Sequence, residues 1–143
     1  MSSENDRKSR IMGIDPGTKR TGLAMSDPLG MTAQGLATFD SGTEDALVEH
    51  VRALAVEYGV SLVVIGLPLS MSGGEIEGTA RSRALAGKIR ERCGVEVVLR
   101  DERMTSLEVE RVMKQAGRIR KAGDIDKLAA VLLLQSYLDE KDS

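Results

Sequence analysis

A mixed α/β fold follows from three features of this sequence. Two short apolar runs within 11–26 flank a Pro-Gly turn signal, a continuous β-branched run fills 61–66, and the segments between and beyond carry apolar residues at helical spacing. The implied order is βββαβαβαα. That order makes a five-stranded mixed sheet, with strands 1–3 antiparallel and helices on both faces.

Strand 1 is read over 11–15 and strand 2 over 21–26, with Pro16-Gly17 turning the chain between them. Strand 3 covers 34–39. The short spacings make these three an antiparallel meander, which the cluster Asp40-Ser41-Gly42-Thr43 ends. The first helix spans 44–58, since Leu47, Val51, Leu54, Ala55 and Tyr58 recur on one face. Thr43 offers the N-cap hydroxyl, Glu44 and Asp45 suit the first turn, and Gly59 stops the helix.

Residues 61–66 read as a central strand buried on both faces. The loop 67–74 leaves its carboxyl end and is read as a substrate loop. A second helix over 75–92 places Leu85, Ile89 and Cys93 on one side. The strand 95–100 empties into Asp101-Glu102-Arg103. Thr105 to Glu108 fits a capping box and opens a third helix, with Val109, Val112, Met113 and Ala116 on one face and Gly117 at its close. A basic loop, 118–123, precedes the last helix, which starts near Asp124. The apolar run 128–134 predicts that this helix is largely buried.

The 143 residues suit one domain, expected over 10–143 behind a polar tail at 1–9. That tail lacks the apolar stretch of a secretory signal, and no run approaches the ~20 apolar residues that cross a bilayer. The lone Cys93 allows no internal disulfide, which points to a reducing cytoplasm. A formal net charge of −2 means that any nucleic-acid surface must come from local basic clusters. With 2 Tyr, 1 Phe and no Trp, stacking of bases on an aromatic platform is not the expected mode of recognition.

Acidic residues gather where the strands end. Asp15 closes strand 1, Glu102 follows the strand at 95–100, and Asp126 sits in the first turn of the last helix. In a sheet containing parallel strands these ends share one edge, where sites form. Three converging carboxylates repel unless cations lie between them. Oxygen ligands at that density suit Mg²⁺ or Mn²⁺, and one His with one Cys cannot build a zinc site. Two such ions can activate water and stabilise the leaving oxygen in phosphodiester cleavage.

Four segments carry a resemblance: 13–24 (Gly-Ile-Asp-Pro-Gly-Thr-Lys-Arg-Thr-Gly-Leu-Ala), 63–68 (Val-Val-Ile-Gly-Leu-Pro), 101–106 (Asp-Glu-Arg-Met-Thr-Ser) and 126–130 (Asp-Lys-Leu-Ala-Ala). In this order they resemble the YqgF family, also called RuvX, the Holliday-junction-resolvase-like proteins of bacteria. The resemblance implies an RNase H-like fold and divalent-metal nuclease chemistry, with Asp15, Glu102 and Asp126 as the catalytic and metal-binding acids. It implies a role in processing the 5′ end of the small-subunit ribosomal RNA precursor. Pro16 departs from the family pattern. Asp15-Pro16-Gly17 is similar to the RuvC-type resolvases, which keeps branched DNA as a second substrate and, with it, a homodimer.

Basic residues rim the acidic set. Lys19 and Arg20 lie in the turn beside Asp15, Arg81 and Arg83 follow the Gly-rich loop, Arg103 adjoins Glu102, and Arg118, Arg120 and Lys121 precede Asp126. All eight are candidate phosphate contacts, which are salt-sensitive and read little sequence. Asp101 is read as structural, because neighbours on a strand point to opposite faces. Thr105 is read as a cap, Cys93 as a core residue, and His50 has no catalytic role. The Asp-Pro-Gly-Thr turn also resembles the phosphate loop of the sugar-kinase and actin superfamily, but that superfamily needs two such subdomains and this length supplies one. A binding module that assembles ribosomes without turnover is the remaining alternative.

Overall fold

The computed structural model describes residues 9–17, 19–40, 42–102, 108, 111 and 122–141. Six strands appear: β1 (Arg10–Asp15), β2 (Arg20–Ser26), β3 (Ala33–Gly35), β4 (Phe39–Asp40), β5 (Val60–Leu67) and β6 (Glu96–Asp101). The helices whose bounds fall within the described residues are α1 (Glu44–Tyr58), α2 (Glu77–Cys93) and α3 (Ala122–Lys141). The sheet runs β3-β2-β1-β5-β6, with β4 also paired to β2. β1 is antiparallel to β2 and parallel to β5, and β5 is parallel to β6. The carboxyl ends of β1, β5 and β6 therefore share one edge.

Alternation along the strands sorts side chains between two cores. Met12, Ile14, Val63 and Ile65 face α1 and α2, where Val48, Val51, Leu85 and Ile89 meet them. Ala24 and Val64 face α3 and its Leu133, Leu134 and Leu138. Helices thus cover both faces. Fully burying each of those leucines contributes roughly 2 kcal/mol. In β5 both Val63 and Val64 are fully buried, as a central strand requires. α3 is less enclosed than its apolar run predicts, since Leu128, Val131 and Leu132 are only half-buried.

Local signals act as expected at α1. The Thr43 hydroxyl accepts from the Ala46 amide at 3.1 Å, and Gly59 turns left-handed to end the helix. α2 starts two residues later than expected, at Glu77, where the Thr79 hydroxyl accepts from the Ile76 amide at 3.0 Å. The expected single strand at 34–39 is two pieces on the same partner. Ala24 faces Gly35 and Thr21 faces Phe39, so three steps along β2 oppose four along the other chain. One extra residue makes a bulge, and a strand glycine, with no side chain to hold register, favours it there. Most of the expected third helix, including Thr105, lies outside the described residues, as do residues 1–8 of the tail; Glu108 and Arg111 are helical.

α3 lies close to the sheet because β2 carries Gly22. A Cβ there would stand 2.0 Å from the Asp126 carbonyl oxygen and 3.3 Å from the Ala130 Cβ. The contact is to backbone, so no rotamer change relieves it. Gly22→Ala is expected to lower the thermal midpoint by about 6–10 °C, corresponding to about 2–3 kcal/mol of overpacking in a chain of this size. Calorimetry checks this, and an unchanged midpoint would mean that α3 does not sit on Gly22.

Candidate active site

Strand pairing brings the acids together at the shared edge. Asp15 pairs with Gly22 across the β1–β2 ladder, and Ile14 pairs with Ile65, so Asp15 lies beside Gly66. Leu67 pairs with Asp101, and its carbonyl accepts from the Glu102 amide at 3.3 Å. That bond extends the β5–β6 ladder by one residue and turns the Glu102 side chain inward. Glu102 is buried, while Asp101 is exposed, as the alternation of a strand demands.

Gly66 makes the meeting possible. A Cβ on it would stand 2.9 Å from Glu102 Oε2 and 3.3 Å from Asp15 Oδ1. The two carboxyl groups occupy the space that a side chain would fill. Carboxylates brought this close repel each other when both are ionised, which favours the protonated form of Asp15. Burial above all, then the Glu102 hydrogen bond and the charges of Glu102 and Asp126, push the Asp15 carboxyl up to about 9.

Asp126 reaches the same edge from α3, whose first turns rest on Gly22, the partner of Asp15. Its carboxylate accepts from Arg20 Nε at 3.1 Å. With both side chains about 30% exposed, this pair contributes no more than about 1 kcal/mol. Arg20 thus steadies an acid of the site. Among the described residues, no three His, Cys, Asp or Glu side chains stand ready to hold an ion together. The donor set still suits a hard cation: the two abutting carboxyls offer only oxygen, and a cation beside them would offset the repulsion between their charges.

The other basic candidates are dispersed. Lys19 is exposed in the turn after Asp15. Arg83 is paired with Glu75 at 2.8 Å. Arg81 is exposed and lines a cleft of about 200 Å³ between the β1–β2 turn, Pro68 and α2. Arg103, Arg118, Arg120 and Lys121 lie outside the described residues. His50 stacks on Phe39 within α1, and Cys93 packs against the core. Gly22 and Gly66 do not stand out in the sequence as site residues. The one available signal is that each sits inside an otherwise apolar strand, where a glycine marks close approach.

In the family comparison, the model described as "RuvX: Holliday junction resolvase" matches residues 9–140. A candidate pre-16S rRNA nuclease of Pelotomaculum thermopropionicum is 46% identical over 92% of this chain and 88% of its own length. One from Geobacillus kaustophilus is 43% identical over 92% and 99%. Among solved structures, RuvC of T. thermophilus in complex with a Holliday junction substrate superposes with a TM-score of 0.59 at 16% identity, over 94% of this chain and 97% of that one. The fowlpox virus resolvase with Holliday junction DNA gives 0.56 at 15%, over 94% and 99%. The likeness to these two is one of fold, RNase H-like as expected.

An acid held above its ordinary 3.8 binds a proton that the unfolded chain has already lost. The resulting penalty on folding begins near pH 4 and grows until about 9, so the metal-free protein loses stability as pH rises through that window. Asp15→Asn is expected to flatten this decline and to raise the midpoint near neutral pH by about 3 °C for each kcal/mol recovered. Thermal unfolding in EDTA across this range measures it. Parallel curves for the two proteins would show that Asp15 carries no displaced proton.

Proposed function

The chain belongs to the RuvX family, and on that premise we propose that it is a divalent-metal-dependent nuclease hydrolysing phosphodiester bonds in structured RNA. Its proposed role is in 5′-end processing of the small-subunit ribosomal RNA precursor. The observation that carries the reading is the Asp15–Glu102 pair over Gly66, two abutting acids at the strand edge where sites of this sheet type form. The names of the relatives support the RNA substrate.

Asp15, Glu102 and Asp126 would hold Mg²⁺ or Mn²⁺. The bound ion supplies an activated water and stabilises the leaving oxygen. The protein's own residues prepare the place. Gly66 leaves room, Glu102 is fixed by the hydrogen bond its amide donates to the Leu67 carbonyl, and Arg20 holds Asp126 while lending positive charge. Lys19 and Arg81 would take flanking phosphates, and Arg83, Arg103, Arg118, Arg120 and Lys121 extend the proposed basic rim. A single cysteine fits action in the cytoplasm. No helix of the described residues is long and apolar enough to cross a membrane.

Branched DNA is the second reading, favoured by Asp15-Pro16-Gly17 and by the family's description. Two equivalent cuts in a junction require a two-fold dimer.

The test incubates the protein with a small-subunit ribosomal RNA precursor and with a mobile four-way DNA junction, each with Mg²⁺ or Mn²⁺. RNA cleavage is expected, lost in EDTA and in Asp15→Asn. Gly66→Ala is expected to lower the rate by about 100-fold, the scale of a displaced catalytic group. Cutting of the junction alone would transfer the assignment to branched DNA. Binding of both without cleavage would make the chain a ribosome-assembly binding module.

A further inference from the structure

The cleft beside the acids is built for something. It opens between Pro16, which follows Asp15, and Pro68, which lies two residues after Gly66. Its walls mix several kinds of surface. Leu47, Leu85 and the two prolines are apolar, Glu44 brings a carboxylate that pairs with Lys88 at 2.6 Å, and Arg81 brings a cation. Arg81 Nη2 lies 3.6 Å from where a Cβ on Gly78 would be, so the side chain folds back over Pro68 and α2. It forms no ion pair among the described residues.

Three lining residues carry hydroxyl groups, Thr21, Thr43 and Ser82, and that of Thr43 caps α1. Thr21 is 2% exposed and Ser82 is 1% exposed, and both line the cleft. Neither side chain hydrogen-bonds to the protein among the described residues, and no fully enclosed polar side-chain atom there lacks a partner. Their oxygens therefore reach the cleft rather than the packed interior. Each hydroxyl can therefore donate to, and accept from, water or a group bound in the cleft.

We propose that this cleft is a subsite for one unpaired nucleotide of the nucleic acid, next to the linkage that is cut. The inference rests on the nuclease reading. About 200 Å³ is below the roughly 300–1,000 Å³ of drug-sized pockets, which leaves room for one small unit and none for a duplex. The apolar walls suit the flat face of a base or a sugar. The hydroxyls of Thr21 and Ser82 can each donate and accept, as ribose hydroxyls and base edges require. Arg81 suits the phosphate. Its position joins the cleft to the acids, since Pro16 adjoins Asp15, and Thr21 adjoins Gly22, the Asp15 partner. A single-stranded flank is then part of what the protein recognises.

Binding without turnover tests this separately from cleavage. Fluorescence anisotropy in EDTA would compare a 5′-phosphorylated single-stranded RNA tetramer, the same sequence as a blunt duplex, and adenosine 5′-monophosphate as competitor. The tetramer is expected to bind at least about tenfold more tightly than the duplex. Arg81→Ala and the pair Thr21→Val/Ser82→Ala are each expected to weaken it by about 5–10-fold, the scale of a lost hydrogen bond to a charged or buried group. Arg90→Ala, an exposed arginine near the far end of the same helix, should leave it unchanged, and thermal midpoints would confirm that each variant is folded. Cleft variants that bind the tetramer like the wild type would overturn the proposal, even if the protein cleaves RNA. Equal affinity for the duplex would overturn it too, as would adenosine 5′-monophosphate binding as tightly as the tetramer, which would assign the cleft to free nucleotides. Loss of tetramer binding in these variants would sustain it, even if no cleavage is ever found.

Discussion

Two carboxyl groups forced to share the space above one glycine set the terms for the rest of this structure. Asp15 and Glu102 meet over Gly66 because β1, β5 and β6 end at the same edge, and this closeness favours a protonated Asp15. This arrangement opposes stability. The fold tolerates it because the sheet beneath is fixed from both sides, by Met12, Ile14, Val63 and Ile65 against α1 and α2, and by Val64 against α3.

α3 shows how fold and site are coupled. Its leucines seal one face of the sheet, and the same packing delivers Asp126 to the acid pair. Gly22 joins the two roles: it admits the α3 backbone and pairs with Asp15. Arg20, two residues earlier on the same strand, then holds the Asp126 carboxylate. A short stretch of β2 thus controls the approach of the third acid.

Much of this was legible in the sequence where a local rule acts alone. Thr43 and Gly59 bound α1 as caps do, the run at 61–66 could only be a central strand, and three acids at strand and helix ends announced an edge site. What the sequence hides depends on contacts distant along the chain. The break of strand 3 into two pieces follows from a one-residue bulge that both pieces make against β2, and Gly35, the local signal that favours it, does not by itself fix where the register slips. Arg20 read as a phosphate contact, yet in the fold it engages Asp126, 106 residues away. Gly66 looked like the end of a strand, and its importance appears only once Glu102 arrives from β6. Thr21 and Ser82 look like ordinary strand and helix residues until the cleft between them is seen.

The most direct measurement is titration calorimetry of Mn²⁺ into the protein near pH 7.5, repeated in buffers of different ionisation enthalpy. If a cation displaces the Asp15 proton into the buffer, about one proton is released for each ion bound, and Asp15→Asn abolishes both the release and the binding. Binding with no proton release, or no binding at all, would contradict the account.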